Sequence, residues 1–386
     1  MKCLYIFNPE NDMALAYGGP YFMPPANALK MAHDLAALPM WYAFEGGDVW
    51  LPDISQIEWM KNYCPFAMVA NGVVNPFLTG HYQEVRPWGW SNSMAHRLHV
   101  QGADQELCPS SSWLERIRVL SARGTSLHVL HTLNFPHSYR QAQSISLYSD
   151  VEEFVHTHGK VLLKAPWSGS GRGVQFIEER MSVSLQGWVN HILKTQGYVI
   201  AEPFYDKVVD FAMEFKSSSQ GVTFAGYSWF ETDSRGIYKE NILASDKKIE
   251  EWLSCYVDRE MLYAIRQSLE EKLSEVIDGV YVGYLGVDMM VCRADGGYTI
   301  HPCVEINLRM NMGITSRLIF DHYVHPDAQG RFVVEYYPTK GEALRTHLHM
   351  QQIHPLVIEG QRIKKGYLSL TPVFEDTTYQ VYVVIG

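Results

Sequence analysis

The segment Val161-Leu162-Leu163-Lys164-Ala165-Pro166-Trp167-Ser168-Gly169-Ser170-Gly171-Arg172-Gly173-Val174 carries an apolar strand pattern into a lysine and then into a loop of alternating glycines. Lacking β-carbons, such a backbone can fold over a polyphosphate and turn several N–H groups toward it. Lys164 and Arg172 add positive charge where the phosphates would lie. A P-loop would end in Gly-Lys-Ser/Thr, and a dinucleotide fingerprint would space its glycines differently and open a helix. Here residues 174–178 read as a second strand. Taken alone, the segment reads more readily as a glycine-rich hairpin turn.

A second segment changes that balance. Tyr284-Leu285-Gly286-Val287-Asp288 and Val304-Glu305-Ile306-Asn307-Leu308-Arg309 flank a turn at residues 294–297, where Asp295, Gly296 and Gly297 supply hairpin chemistry. A period of two sends Glu305, Asn307 and Arg309 to one face, and Asp288 on the partnering strand can join them. Two carboxylates and an amide oxygen are hard donors suited to magnesium. The competing reading is an ordinary surface strand, but the flanking residues are apolar, and a buried carboxylate needs a partner or a metal.

Together the two motifs resemble the ATP-grasp superfamily, whose members fold a lysine strand and a flexible glycine loop over ATP and hold magnesium with an acidic D…E-x-N set. The resemblance covers residues 111–321. It implies an α/β protein with α+β subdomains, the ATP-grasp fold preceded by a small α/β pre-ATP-grasp domain. ATP and Mg2+, with Mn2+ as an alternative ion, are the implied cofactors. Asp288, Glu305 and Asn307 are the implied metal ligands. Lys164, Ser168, Gly169, Ser170, Gly171, Arg172 and Gly173 are implied to surround the phosphates, with Lys164, Arg172 and Arg309 acting on the transferring group.

Further positions match the family one at a time. Tyr198-Val199-Ile200-Ala201-Glu202-Pro203-Phe204 looks like the hinge strand that holds adenine, with Glu202 and Phe204 at its edge, and a plain buried strand is the alternative. Asp210 and Glu214 alternate onto one face, and Asp210 is preferred as the acid for the ribose hydroxyls. Arg123 stands where the family carries its first phosphate-binding lysine, a departure that leaves a solvated helix charge as the competing reading.

The chain of 386 residues is long for one core, so two or three packed units are expected. Residues 1–110 alternate apolar runs at 3–7, 41–44 and 67–70 with helix-like stretches at 26–37 and 54–63, which suggests a small domain on a parallel sheet. Residues 111–325 hold the ATP-grasp motifs, with the lysine and glycine-loop part at about 136–204 and the metal-binding part at about 205–325. Residues 326–386 read as a β-rich cover. The loop Asn8-Pro9-Glu10-Asn11-Asp12 follows the first apolar run, where sheets of this kind bind ligands, so Glu10 or Asn11 is a candidate substrate contact beside its simpler role in turn formation. Arg86-Pro87-Trp88-Gly89-Trp90-Ser91 is a second candidate cleft lining, with packing as the plainer account. The histidine pairs 128/131, 156/158 and 347/349 lack a third ligand and read as structural or exposed.

A formal net charge of -10 and a pI of about 5.9 argue against a nucleic-acid footprint. The six cysteines show no CxxC pair, so free thiols in a reducing compartment, and a cytoplasmic location, are expected. The first apolar run is too short for a signal peptide core, and the uncharged stretch 62–83 is broken by Pro65 and Pro76, so no membrane association is expected. The expected activity is ATP-dependent ligation: a small-molecule carboxylate activated as an acyl phosphate and attacked by an amine or thiol acceptor. A phosphotransferase of the same fold and a non-catalytic ATP-binding protein are the alternatives. The substrates and the oligomeric state have no signature in the sequence.

Overall fold

The computed structural model describes residues 2–44, 46–68, 70–133, 141–168, 173–232, 238–294 and 296–386. A parallel sheet of β1 (Cys3–Ile6), β2 (Asp48–Trp50), β3 (Asn71–Val73) and β4 (Glu84–Pro87) comes first, in the order β3-β2-β1-β4. β1 is buried throughout, as expected of a parallel strand covered on both faces. The apolar runs at 41–44 and 67–70 are not its strands. Residues 38–41 form a 3-10 turn, and the strands lie further along, at Asp48–Trp50 and Asn71–Val73. Trp41 and Ala43 are apolar because they fill a core under the sheet, where burial can be met without strand geometry.

A second, antiparallel sheet contains β5 (Gln143–Ile145), β6 (Lys160–Lys164), β7 (Val174–Glu178) and β8 (Val199–Pro203), ordered β5-β8-β6-β7. Its core joins Val161, Leu163 and Ile177 to Val189 and Ile192 of the helix Val183–Gln196. That helix is capped by Ser182, whose hydroxyl accepts the Leu185 N–H.

The third and largest sheet contains β9 (Lys207–Ser218), β10 (Gly221–Thr232), β11 (Tyr238–Leu243), β12 (Gly283–Ala294), β13 (Gly297–Asn307), β14 (Gly330–Tyr336), β15 (Val357–Glu359), β16 (Arg362–Ser369) and β17 (Tyr379–Ile385). Its order is β13-β12-β9-β10-β11-β14-β17-β16-β15. The helix Arg259–Ile277 covers one half, burying Leu262, Ile265, Leu269, Leu273 and Ile277 at helical spacing against Phe211, Phe215 and Leu285. At the β12–β13 turn, Gly296 and Gly297 have φ of 85° and 155°, a conformation that side chains rarely adopt. Asp295 lies outside the described residues.

The strands after residue 326 extend this same sheet. They share a core with the first domain: Phe332, Val381 and Val383 pack with Cys3, Phe7 and Trp41. Trp41 is 2% exposed and its Nε1 donates to the Leu370 carbonyl at 2.6 Å. Asp34 accepts the N–H groups of Thr378 and Tyr379 at 2.9 and 3.0 Å. No helix among the described residues is long and apolar enough to cross a membrane.

Trp41→Ala removes a fully packed ring and orphans the Leu370 carbonyl, so we predict a loss of about 3–5 kcal/mol. Urea titration with tryptophan-independent detection measures it, and a loss under about 1 kcal/mol would show that this seam is not a main support.

Candidate functional site

The acidic hairpin forms in the register that the sequence implies. Asp288 lies opposite Glu305, and Gly286 opposite Asn307. Asn307 Nδ2 donates to Asp288 Oδ2 at 3.1 Å, and Arg309 Nη2 donates to Asn307 Oδ1 at 3.1 Å. Asp288 keeps part of its surface open but is surrounded by protein. Desolvation pushes its carboxyl up to about 7, the Glu305 charge pushes the same way, and Asn307 and Arg309 oppose them.

Arg309 is gripped from the opposite end of the chain. Its Nε and Nη2 donate to the two carboxylate oxygens of Asp12 at 2.7 and 2.6 Å. This bidentate fork holds the guanidinium plane in one orientation. Asp12 follows a turn-forming segment, and nothing in its local sequence marks a partner 297 residues away.

Arg123, first residue of the helix Arg123–Thr132, is 5% exposed and reaches three partners. It donates to Glu305 Oε2 at 2.9 Å, to Ser168 Oγ at 2.6 Å and to the Ala165 carbonyl at 2.7 Å. One guanidinium thus ties the acidic strand to the root of the glycine loop, in place of a solvated helix charge. On the same helix, Ser126 Oγ accepts the Ile306 N–H at 2.9 Å and steadies β13 between Glu305 and Asn307.

Gly173 closes the loop, its carbonyl accepting the Ala165 N–H at 2.8 Å. A β-carbon there would stand 2.3 Å from the Ser168 side chain, so this position requires glycine. Gly169, Ser170, Gly171 and Arg172 lie outside the described residues. A pocket with about 330 Å³ of empty volume, including its open mouth, joins these parts. Asp12, Trp167, Ser168, Glu305, Asn307 and Arg309 are among its walls.

Lys164 and Glu202 face each other across β6 and β8, with Nζ 2.5 Å from Oε1 and both side chains buried. Nothing in the local sequence of either residue marks this pairing. Phe204 is 48% exposed just past β8 and meets Phe176 edge-on at 5.0 Å. Asp210 is paired with Lys207 and accepts from Thr232 Oγ1 at 3.3 Å. Its strand partner is Met290, while Asp288 sits opposite Ala212.

Glu214, passed over in favour of Asp210, is 1% exposed. It accepts from Asn311 Nδ2 at 3.1 Å, and burial pushes it up to about 8. A β-carbon on Gly286 or Gly313 would stand 2.4 or 2.1 Å from its oxygens. That close approach explains both glycines, and they were the available signal for a buried acid.

No protein-family model matches the sequence, and no curated protein is similar to it at the sequence level. Solved structures do share the fold. Biotin carboxylase from Campylobacter jejuni, as a complex with β,γ-ATP, superposes with a TM-score of 0.53 at 12% identity, covering 100% of this chain and 87% of that one. N5-carboxyaminoimidazole synthetase from Staphylococcus aureus, complexed with ADP, gives 0.50 at 12% identity, covering 100% and 93%. The biotin carboxylase domain of Hydrogenobacter thermophilus 2-oxoglutarate carboxylase, with MgADP, ADP and bicarbonate, gives 0.51 at 11% identity, covering 99% and 86%.

Asp288 and Glu214 both titrate higher in the fold than in an unfolded chain, so the folded state holds more protons than the unfolded state between the two ranges. Stability therefore falls as pH rises through about 7 to 8. We predict that the metal-free protein melts at progressively lower temperature between about pH 5 and pH 8, and that Asp288→Asn flattens this slope. Melting curves in chelator across that range decide it, and equal slopes for the two proteins would exclude the account.

Proposed function

We propose that this chain, which has the ATP-grasp fold, is an ATP-dependent ligase that activates a small-molecule carboxylate as an acyl phosphate for attack by an amine or thiol. The observation that carries this reading is the convergence of Asp288, Glu305, Asn307 and Arg309 beside the root of the glycine loop. Binding of adenine alone would not need such a set.

The donor set fits a magnesium ion. Asp288, Glu305 and Asn307 offer hard oxygens from adjacent strands, and a divalent cation would offset the desolvation that raises Asp288. Manganese would suit the same oxygens. When bound, the ion neutralises phosphate charge and orients the transferring group.

The chain's own residues supply the rest. Lys164, from the end of β6, and Arg172 balance phosphate charge, while Arg309 stabilises the transferring phosphoryl group and the oxyanion of the later attack. Its link to Asp12 fixes that guanidinium before substrate arrives. Arg123 holds Ser168 and, with Gly169, Ser170, Gly171 and Gly173, completes the phosphate cradle. Glu202 and Phe204 line the adenine edge, and Asp210 receives the ribose. The loop excludes water from the acyl phosphate.

In this reading residues 1–110 hold the substrate, 111–325 the nucleotide, and 326–386 brace both through the large sheet. The six free cysteines support a reducing, cytoplasmic setting.

A magnesium-dependent ADP-release screen over small carboxylates, with amines and thiols as acceptors, tests the proposal. Lys164→Ala and Asn307→Ala are expected to lower turnover on the order of 100-fold or more. An amide or thioester product identifies a ligase, and a phosphorylated product alone identifies the phosphotransferase. Turnover that survives both substitutions discredits the site.

A further inference from the structure

A second pocket lies in the first domain, with about 220 Å³ of empty volume including its mouth. Its position follows from topology. The chain runs from β1 outward to β2 and β3, then returns to β4 on the other side of β1. The connections therefore diverge at the carboxyl ends of β1 and β4, leaving a crevice there, and open α/β sheets bind ligands at such a switch point. Asn8, Glu10 and Asn11 follow β1 directly, and Ser91, Ser93 and Arg97 come from the segment after β4.

The polar groups of this crevice divide into two kinds. Some are spent on building it. Asn8 Nδ2 donates to the Gly89 carbonyl at 2.9 Å, and its Oδ1 accepts the Gly89 N–H at 3.3 Å. The Asn11 amide, with nitrogen and oxygen exchanged, donates to the Gly89 and Trp90 carbonyls at 3.0 and 3.2 Å. Gly89 is required here, since a β-carbon would stand 2.3 Å from that amide. Ser91 caps the helix Asn92–Val100 by accepting the Met94 N–H at 3.2 Å.

Glu10 is the other kind. It is 9% exposed, and its Oε2 is buried with no hydrogen-bond partner. The nearest cation is Arg97, whose Nη1 is 3.9 Å from Oε1, beyond hydrogen-bond range. The Arg97 guanidinium carbon itself lies over the Trp50 ring, 5.0 Å from its centroid, which steadies the group where the residue lines the pocket. A carboxylate with one oxygen buried and undonated carries a desolvation cost, seen in the upward push that burial gives Glu10 against the opposing pull of its own backbone N–H and of Arg97. The backbone holds it in place, because its own carbonyl accepts the Met13 and Ala14 N–H groups at 3.0 and 3.1 Å.

We propose that this crevice binds a free α-amino acid, with Glu10 receiving the ammonium and Arg97 the carboxylate. The pairing of an unsatisfied buried acid with a stacked guanidinium suits a ligand that bears both charges a few bonds apart. The hydroxyl of Ser93 lies among the groups available to its side chain. Asn11 of this pocket and Asp12 of the first are successive residues at the start of the helix Asn11–Tyr17. The inference does not rest on the ligase reading, since it needs neither nucleotide nor turnover.

Isothermal titration without nucleotide tests it, using L-alanine, L-serine, L-aspartate and L-glutamate, each beside its N-acetyl derivative. At least one free amino acid is expected to bind, with its N-acetyl form and the Glu10→Gln protein each weaker by at least about tenfold. Mg-ATP affinity of Glu10→Gln, measured separately, is expected to match wild type, which shows that the variant is folded. Failure of all four amino acids to bind wild-type protein overturns the proposal, as does equal binding of free and N-acetylated forms. ATP turnover is read in a different assay, so loss of the ligase reading leaves this result standing, and the reverse.

Discussion

Placing Asp288 and Glu305 opposite each other on the edge pair of the large sheet creates a charge problem that the strands cannot solve alone. Two carboxylates in a poorly solvated site repel each other and lose hydration, and local alternation brings only Asn307 and Arg309 to their aid. The second cation, Arg123, comes from a helix 182 residues earlier in the chain. The anion that then orients Arg309 comes from Asp12, 297 residues away. Neutralising one hairpin thus draws the first domain, the glycine-loop sheet and the large sheet together around a single pocket.

The hairpin itself was legible because its physics is local. A period of two, a Gly-Gly turn and apolar flanks determine pairing and face without reference to the rest of the chain. The strands around the glycine loop read well for the same reason, whereas the helices Met312–Tyr323 and Glu342–Ile353 went unread, the second inside a segment that reads as β-rich. In the first sheet only Cys3–Ile6 falls on an apolar run read from the sequence, and its neighbours do not. They are three or four residues long, and Asp48–Trp50 shows less apolar character than the Trp41 turn that packs beneath it. Burial alone cannot distinguish a short strand from a turn that fills a core.

At the site, the limits follow sequence separation. Residue types suited to magnesium and phosphate could be read, whereas the partner of each could not. Lys164 and Glu202 meet across two strands, and Arg309 meets Asp12 across nearly the whole chain. Glu214 and Asp210 are equivalent by spacing, and their surroundings are what separate them. Gly286 and Gly313, which leave room for the Glu214 carboxylate, marked it as clearly as any charge pattern. Small residues around a buried acid are a signature of close approach.

The seam between Trp41 and Leu370, reinforced by Asp34 under Thr378 and Tyr379, also governs the order in which this protein can be made. The residues of the first sheet emerge from the ribosome with one side of their hydrophobic core uncovered, well before the strands at 330–385 that cover it. Until the later segments follow, that core has only the partners supplied by residues 3–88. A chain built this way depends on delayed closure, and its early residues are the natural place for a chaperone to act.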